Sequence, residues 1–315
     1  MKKFEHMNAT TLDEAVLALS GGRSRIIAGG TDLVPSLKDE ILPGYPEVLV
    51  NIKTIPGLSF VREETDSLHI GAATPLSDIA LHAVVRGVYP ALAEAASRVG
   101  HPHIREMGTI GGNICQMTRC WYFRVPCNRF DCRRKGGKKC YALSGDARYH
   151  SIFGGVKGCV AVNPSDVAPA LVAFGATIMT TRRLIGADAF FSVRDYRTTS
   201  LEDDEIVTEI TIPRPRVGTK SAFIKYALRK SIDFPIVNCC AVIGEGDARI
   251  CLNAVFNNPY RPKAAEEVLL GTAIDEVGAR AAGVAAVVDA EPAPSNRYKV
   301  QIAKTLVRRA VMACA

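Results

Sequence analysis

The stretch between residues 100 and 158 most restricts what this chain can fold into. It is rich in Gly, Cys and basic residues and shows little hydrophobic periodicity. A loop of that length inside a compact domain needs something to order it. From Arg119 to Lys139 there are eight Lys/Arg and one acid, Asp131, and five of the ten cysteines fall between Cys115 and Cys140. The whole chain carries a formal charge of only +7 over 315 residues, so the basic character is local. A basic stretch alone suggests a nucleic-acid patch. Cysteines in the same stretch point instead to a metal or cluster held by thiolates.

The rest of the composition is that of a folded protein. Apolar residues make up 48% and charged residues 23%, which excludes wholesale disorder, collagen and coiled coil. No apolar run approaches the ~20 residues of a membrane helix. The opening Met1-Lys2-Lys3-Phe4-Glu5-His6 has no apolar h-region, so a cytoplasmic location is expected. Ten cysteines in such a chain argue against structural disulfides.

Several elements are expected from local pattern. Thr11 and Glu14 suggest a capping box at the head of a helix carrying Leu12, Ala15, Val16 and Leu19 on one face. Residues 25–28, 47–52 and 67–70 read as strands, and Thr74 with Pro75 as the start of a helix. After the cysteine-rich stretch, residues 159–162 read as a strand, 167–173 as a helix and 206–212 as a strand. Strands at 222–228, 236–243 and 249–256, then helices from Pro262 to the end, predict a C-terminal α+β unit with an antiparallel sheet.

Two loops carry paired glycines: Ala28-Gly29-Gly30-Thr31-Asp32, directly after a strand, and Thr109-Ile110-Gly111-Gly112-Asn113. Consecutive glycines allow close backbone approach and expose a run of N–H groups, which suits a diphosphate. Thr and Asn side chains would add donors. Either loop alone reads as a tight turn. Two of them point to one diphosphate-bearing ligand held between. Neither fits G-x-G-x-x-G, and neither has the Walker lysine.

Cys239, Cys240 and Cys251 lie in apolar strands and read as small buried hydrophobes, with Cys314 incidental. Cys115, Cys120, Cys127, Cys132, Cys140 and Cys159 are surrounded by Lys and Arg, which should favour thiolates. There is no C-x-x-C pair and no bacterial ferredoxin spacing. The residues alone leave zinc and iron–sulfur both open.

In order along the chain, Ala28-Gly29-Gly30-Thr31-Asp32-Leu33, Gly71-Ala72-Ala73, Thr109-Ile110-Gly111-Gly112-Asn113 and Asp166-Val167-Ala168-Pro169-Ala170-Leu171 resemble the FAD-binding medium subunit of the molybdenum hydroxylases, the xanthine dehydrogenase and carbon monoxide dehydrogenase family. The resemblance implies an α+β chain. Its first part, residues 1–218, would be an FAD-binding PCMH-type domain of two α/β sub-domains, with an iron–sulfur insertion loop at about 114–158. Its second, residues 219–315, would be a carbon monoxide dehydrogenase flavoprotein C-terminal-like domain. Arg119-Cys120-Trp121-Tyr122-Phe123-Arg124, then Cys132-Arg133-Arg134-Lys135-Gly136-Gly137, Cys140, Arg148-Tyr149-His150 and Cys159 are similar to an insertion of one branch. That branch includes the 4-hydroxybenzoyl-CoA reductase beta subunit and the flavin subunit of periplasmic-type aldehyde oxidoreductases. There the insertion carries a [4Fe–4S] cluster beside the FAD.

The resemblance therefore implies Cys120, Cys132, Cys140 and Cys159 as cluster ligands. Cys127, in Pro126-Cys127-Asn128, competes with Cys132 for the second place; Cys132 is preferred for its distance to Cys140. For FAD it implies Ile27, Ala28, Gly29, Gly30, Thr31, Asp32 and Leu33 on one side of the diphosphate and Thr109, Gly111, Gly112 and Asn113 on the other. Asp166 would sit at the ribose or adenine side, and Lys225 near the isoalloxazine or its entrance. No residue here would act on the organic substrate. The implied partners are a large molybdenum-cofactor subunit and a small [2Fe–2S] subunit, in a heterotrimer or a dimer of heterotrimers, with no nucleic acid and no membrane span. A partner's export signal could place the complex in the periplasm. Two other readings are a zinc-stabilised nucleic-acid-binding module and a stand-alone flavin oxidase. The first leaves the glycine loops unexplained, and the second leaves the cysteines unexplained.

Overall fold

The computed structural model describes residues 1–270 and 273–315. The first layer is a parallel sheet of β1 (Glu5–Asn8), β2 (Ser24–Ile27) and β3 (Val48–Asn51), in the order β1-β3-β2. The helix Leu12–Ser20 connects β1 to β2 and buries Ala15 and Leu19 in a core shared with Val50 and Ile52. Its cap differs from the expected box by one residue. The Thr11 hydroxyl accepts from the Glu14 N–H at 3.2 Å, but the Glu14 carboxylate accepts from the Thr10 N–H at 2.7 Å. All three strands run the same way, so their carboxyl ends share one edge, the usual place for a ligand crevice in a parallel sheet. The loop Ala28–Asp32 leaves from that edge.

The second layer contains β4 (Val61–Glu63), β5 (Ser67–Gly71), β6 (Thr177–Thr180), β7 (Leu184–Gly186), the small pair β8 (Phe191–Arg194) and β9 (Arg197–Thr199), and β10 (Val207–Pro213). Five of these form an antiparallel sheet in the order β4-β5-β10-β6-β7. Period-2 alternation sends Leu68, Ile70, Ile210 and Ile212 into the main core. The helices Leu76–Leu81, Pro90–Ser97 and Ala168–Phe174 supply the facing residues. Thr74 does not cap the first of these. Its hydroxyl pairs with both backbone groups of Phe60 at 2.9 Å, and the helix begins one residue later, after Pro75.

The third layer is the antiparallel sheet β11 (Lys220–Tyr226), β12 (Val237–Gly244) and β13 (Asp247–Asn253). Helices Lys263–Leu270, Glu276–Ala285 and Tyr298–Met312 follow; residues 271 and 272, within the stretch expected to be helical with breaks, lie outside the described residues. β12 is buried on both faces. Val237, Cys239, Ala241 and Ile243 face the C-terminal helices, while Cys240 and Val242 join the main core with Phe223 and Cys251. Its largely apolar sequence follows from this double burial, with Asn238 the polar exception. The three strand cysteines are buried, as expected.

Residues 159–162 are not a strand. The isolated bridge of Val156 to Cys159 is their one ladder contact among the described residues. Side chains satisfy the backbone instead: the Asn257 amide donates to the Cys159 carbonyl at 3.0 Å and to the Ala161 carbonyl at 2.7 Å. The cysteine-rich stretch is held by short turns of helix, Pro102–Met107, Ile110–Ile114 and Tyr141–Ser144, with two 3₁₀ turns at Pro126–Asn128 and Arg133–Lys135.

Candidate functional site

A cavity of about 520 Å³, within the usual size of a cofactor site, opens beside the carboxyl end of β2. Residues Ile27 to Leu33 line one side; Thr109, Gly111, Gly112 and Asn113 line the other. The two glycine pairs therefore meet across one space, but only the first is a loop: Gly111 and Gly112 lie in the helical turn Ile110–Ile114, where the Ala72 carbonyl and the Thr109 hydroxyl take their N–H groups. Gly30 has φ +69°, a left-handed conformation that glycine adopts without penalty. A Cβ added at Gly29 would lie 2.7 Å from the Met107 carbonyl carbon and closer still to its oxygen. The first loop thus packs directly on the chain entering the second pair. The Gly71-Ala72-Ala73 turn supports the second pair from below. The Gly111 N–H donates to the Ala72 carbonyl at 2.9 Å, and a Cβ on Gly111 would stand 2.8 Å from that oxygen.

The polar groups divide between lining the cavity and bracing it. The Thr109 hydroxyl accepts from the Gly112 N–H at 3.1 Å. Asn113 Oδ1 accepts the Ser165 hydroxyl at 2.6 Å, leaving its amide donors free. Asp32 is a brace: it takes the Met117 N–H at 2.8 Å, Arg119 at 2.8 Å and Arg124 at 2.5 Å. One carboxylate thereby ties the first glycine loop to the start of the cysteine-rich stretch. Arg119 also lines the cavity, stacked over Phe234 at 4.4 Å, with its Nε buried and unpartnered. Burial brings its guanidinium down to about 10, opposed by Asp32. Arg119, Tyr196 and Phe234 are cavity residues that the sequence reasoning missed. For Arg119 the signal was present, since it opens the Arg-Cys-Trp-Tyr motif; Tyr196 and Phe234 come from distant loops and carry none.

Asp166 lines the cavity and Lys225 stands behind it, outside the wall. Their ion pair is 2.6 Å long and almost fully buried. Lys225 also donates to the Arg98 carbonyl at 2.9 Å, and the Asn238 amide donates to Asp166 at 2.8 Å. Burial raises the Asp166 carboxyl above its ordinary range, against the opposing pull of Lys225 and Asn238. Lys225→Met would leave that carboxylate buried without its counter-charge. The expected loss is about 3–5 kcal/mol of stability, read by denaturant unfolding. Partial recovery is expected in Lys225→Met/Asp166→Asn, and equal stability of the single variant and the parent would show that the pair is not a brace.

A second, narrow cavity of about 10 Å³ lies between Cys120, Cys132, Cys140 and Cys159. Cys132 and Cys159 are buried, while Cys120 and Cys140 are partly exposed. Cys127 is exposed on its 3₁₀ turn and Cys115 lines the larger cavity; neither belongs to this group. Among the described residues no three His, Cys, Asp or Glu side chains are gathered closely enough for one metal ion. Cys120, Cys132 and Cys159 are not the preformed thiolates that their basic neighbours suggested. Burial pushes Cys120 up to about 12 and raises Cys132 and Cys159, so desolvation outweighs the nearby cations. Arg134 donates through Nη2 to the Arg197 carbonyl at 2.5 Å, but its Nε and the Lys135 Nζ, the latter over the Phe123 ring, are buried with no hydrogen-bond partner among the described residues. Such leftover cationic donors beside four thiols suit an anionic guest.

Residues 2–215 match the FAD binding domain in molybdopterin dehydrogenase, and residues 222–314 match the CO dehydrogenase flavoprotein C-terminal domain. The chain belongs to the FAD-binding medium subunits of the molybdopterin dehydrogenase family. Among these medium subunits, the aldehyde oxidoreductase FAD-binding subunit of Escherichia coli (strain K12) is 33% identical over 96% of both chains. The nicotinate dehydrogenase FAD-subunit of Eubacterium barkeri is 32% identical over 86% of this chain and 81% of its own. The solved carbon monoxide dehydrogenase of Hydrogenophaga pseudoflava superposes with a TM-score of 0.77 at 29% identity, covering 99% of this chain and 97% of that one. A medium subunit is thus one chain of an oxidoreductase, and FAD is its family's cofactor. No helix among the described residues is long and apolar enough to cross a membrane.

Proposed function

We propose that this medium subunit is the electron relay of a molybdenum hydroxylase, with FAD between the two glycine pairs and a [4Fe–4S] cluster on Cys120, Cys132, Cys140 and Cys159. Its partners are a large molybdenum-cofactor subunit and a small [2Fe–2S] subunit, in a heterotrimer or a dimer of heterotrimers. The observation that carries the reading is the convergence of four cysteines, spread over forty positions of sequence, on one cavity braced to the FAD loop through Asp32.

FAD, when bound, supplies the exchange between two-electron and one-electron chemistry. The chain's own part is to bind and orient. The Gly29 and Gly30 N–H groups would face the diphosphate, whereas those of Gly111 and Gly112 are spent on the Ala72 carbonyl and the Thr109 hydroxyl; the Asn113 amide would add a donor, and Asp166 stands on the cavity wall paired with Lys225. The sulfurs of Cys120, Cys132, Cys140 and Cys159 would hold the cluster, which would supply one-electron transfer there. Holding the cluster would require these sulfurs to give up their protons, which would couple binding to local folding, and Arg134 and Lys135 would stand beside the added negative charge.

The test is anaerobic purification of the complex from its native host. The expected material shows flavin bands in the blue and near-ultraviolet, a broad brown absorption bleached by dithionite, and four iron and four sulfide beyond those of the [2Fe–2S] subunit. Flavin without the additional iron would remove the cluster and leave the flavin assignment standing. Neither cofactor would overturn the whole reading.

A further inference from the structure

We propose that His150 donates a hydrogen bond to the Cys120 sulfur and raises the reduction potential of the cluster that Cys120 holds; the inference rests on the cluster assignment above. His150 Nε2 lies 3.2 Å from Cys120 Sγ, and the residue is 3% exposed. Its Nδ1 is also buried and has no hydrogen-bond partner. Two acceptors stand near the ring, the Cys120 sulfur and the Ala147 carbonyl, and a neutral imidazole carries one N–H. A Cys120 sulfur that holds iron has no proton of its own and can only accept, so the contact at Nε2 is then made by the Nε2–H tautomer. A charged ring would donate from the same atom. The contact therefore does not depend on the ring's charge.

The ring is held in place from both ends of the chain. The His150 N–H donates to the Ala147 carbonyl at 2.8 Å. The His150 carbonyl accepts from Lys299 Nζ at 2.9 Å and from the Asn296 amide at 3.2 Å. Lys299, fully buried in the C-terminal helix, also donates to the carbonyls of Tyr149 at 3.3 Å and Ala254 at 2.5 Å. Trp121 and Tyr122 flank the imidazole, with ring centroids at 6.0 and 6.3 Å. The backbone bonds hold the His150 main chain, and the Trp121 and Tyr122 rings confine the imidazole beside the Cys120 sulfur, the kind of outer support that orients groups at metal sites. A donor aimed at a ligand sulfur stabilises the more negative, reduced cluster, and hydrogen bonds to sulfur are among the determinants of cluster potential. His150 is in this sense a positioning residue.

The test compares the iron-loaded complex carrying His150→Leu, which has no donor, with His150→Gln, whose amide can replace Nε2–H. Redox titration of the additional cluster is expected to show about a tenfold fall in the reduction equilibrium for the leucine variant, about 59 mV for a one-electron couple. The glutamine variant should stay within half of that shift. An unchanged potential in an iron-loaded leucine variant, or equal shifts in both, would overturn the inference. Should the leucine variant lose its cluster, pulsed EPR of the reduced parent labelled with ¹⁵N-histidine decides. A weak nitrogen coupling that disappears in His150→Gln supports the donor. No coupling, or the strong coupling of a directly bound imidazole, overturns it. Parent complex without the additional iron would overturn the cluster assignment itself, a result distinct from an iron-loaded protein with unmoved potentials.

Discussion

Gly29→Ala is expected to yield a folded medium subunit that has lost most of its flavin. The added methyl would press on the backbone of Met107 and Gly108, and backbone cannot swing aside as a side chain does. Overpacking of this kind costs about 1–3 kcal/mol. Because the strain falls between the two glycine pairs that line the cavity, it should appear as weaker FAD binding; each 1.4 kcal/mol is about tenfold. Gly44→Ala is the matching control, since a Cβ there meets nothing within 4 Å. The measurement is the flavin-to-protein ratio after gel filtration, with a thermal melt to confirm folding. A Gly29→Ala protein holding as much flavin as Gly44→Ala would mean that the close approach has no part in shaping the cavity.

The cysteines should divide as sharply. Under the proposed cluster assignment, Cys132→Ser and Cys159→Ser are each expected to lose the additional iron and sulfide nearly completely, because both thiols are buried at the narrow cavity and no spare sulfur lines it among the described residues. Cys127→Ser should keep the parent's iron and sulfide, since Cys127 is exposed and lies outside that cavity. Iron and sulfide analysis of anaerobic preparations reads all three. Loss of the cluster in Cys127→Ser with its retention in Cys132→Ser would exchange the two assignments.

The legible parts of this molecule were those whose cause is local. Paired glycines announce a close backbone approach whether they follow a strand, as Gly29-Gly30 does, or sit in a helical turn, as Gly111-Gly112 does, and both pairs line the same cavity. The long double-buried strand was visible as an apolar run for the same reason. Less legible were features decided at a distance. Asp32 sat inside a phosphate-binding pattern, yet a carboxylate beside a diphosphate would repel it, and two arginines from residues 119 and 124 take it instead. Residues 159–162 looked like a strand by composition, but the Asn257 side chain, about a hundred positions away, occupies two of their carbonyls. The basic neighbours of the cysteines were plain in the sequence, whereas the dryness that overrides them was not. Strands of three or four residues such as β4 and β7 are too short to show a period.

The third sheet gives its two faces to two different interiors, one with the C-terminal helices and one with the helices of the second layer. Its junction with the rest of the chain is therefore a seam and not a hinge. Sliding one block over the other would open a continuous oily contact along β12. Lys225, on this sheet, and Asp166, on the cavity wall, pair across that seam, so parting the two blocks would also bare a buried ion pair.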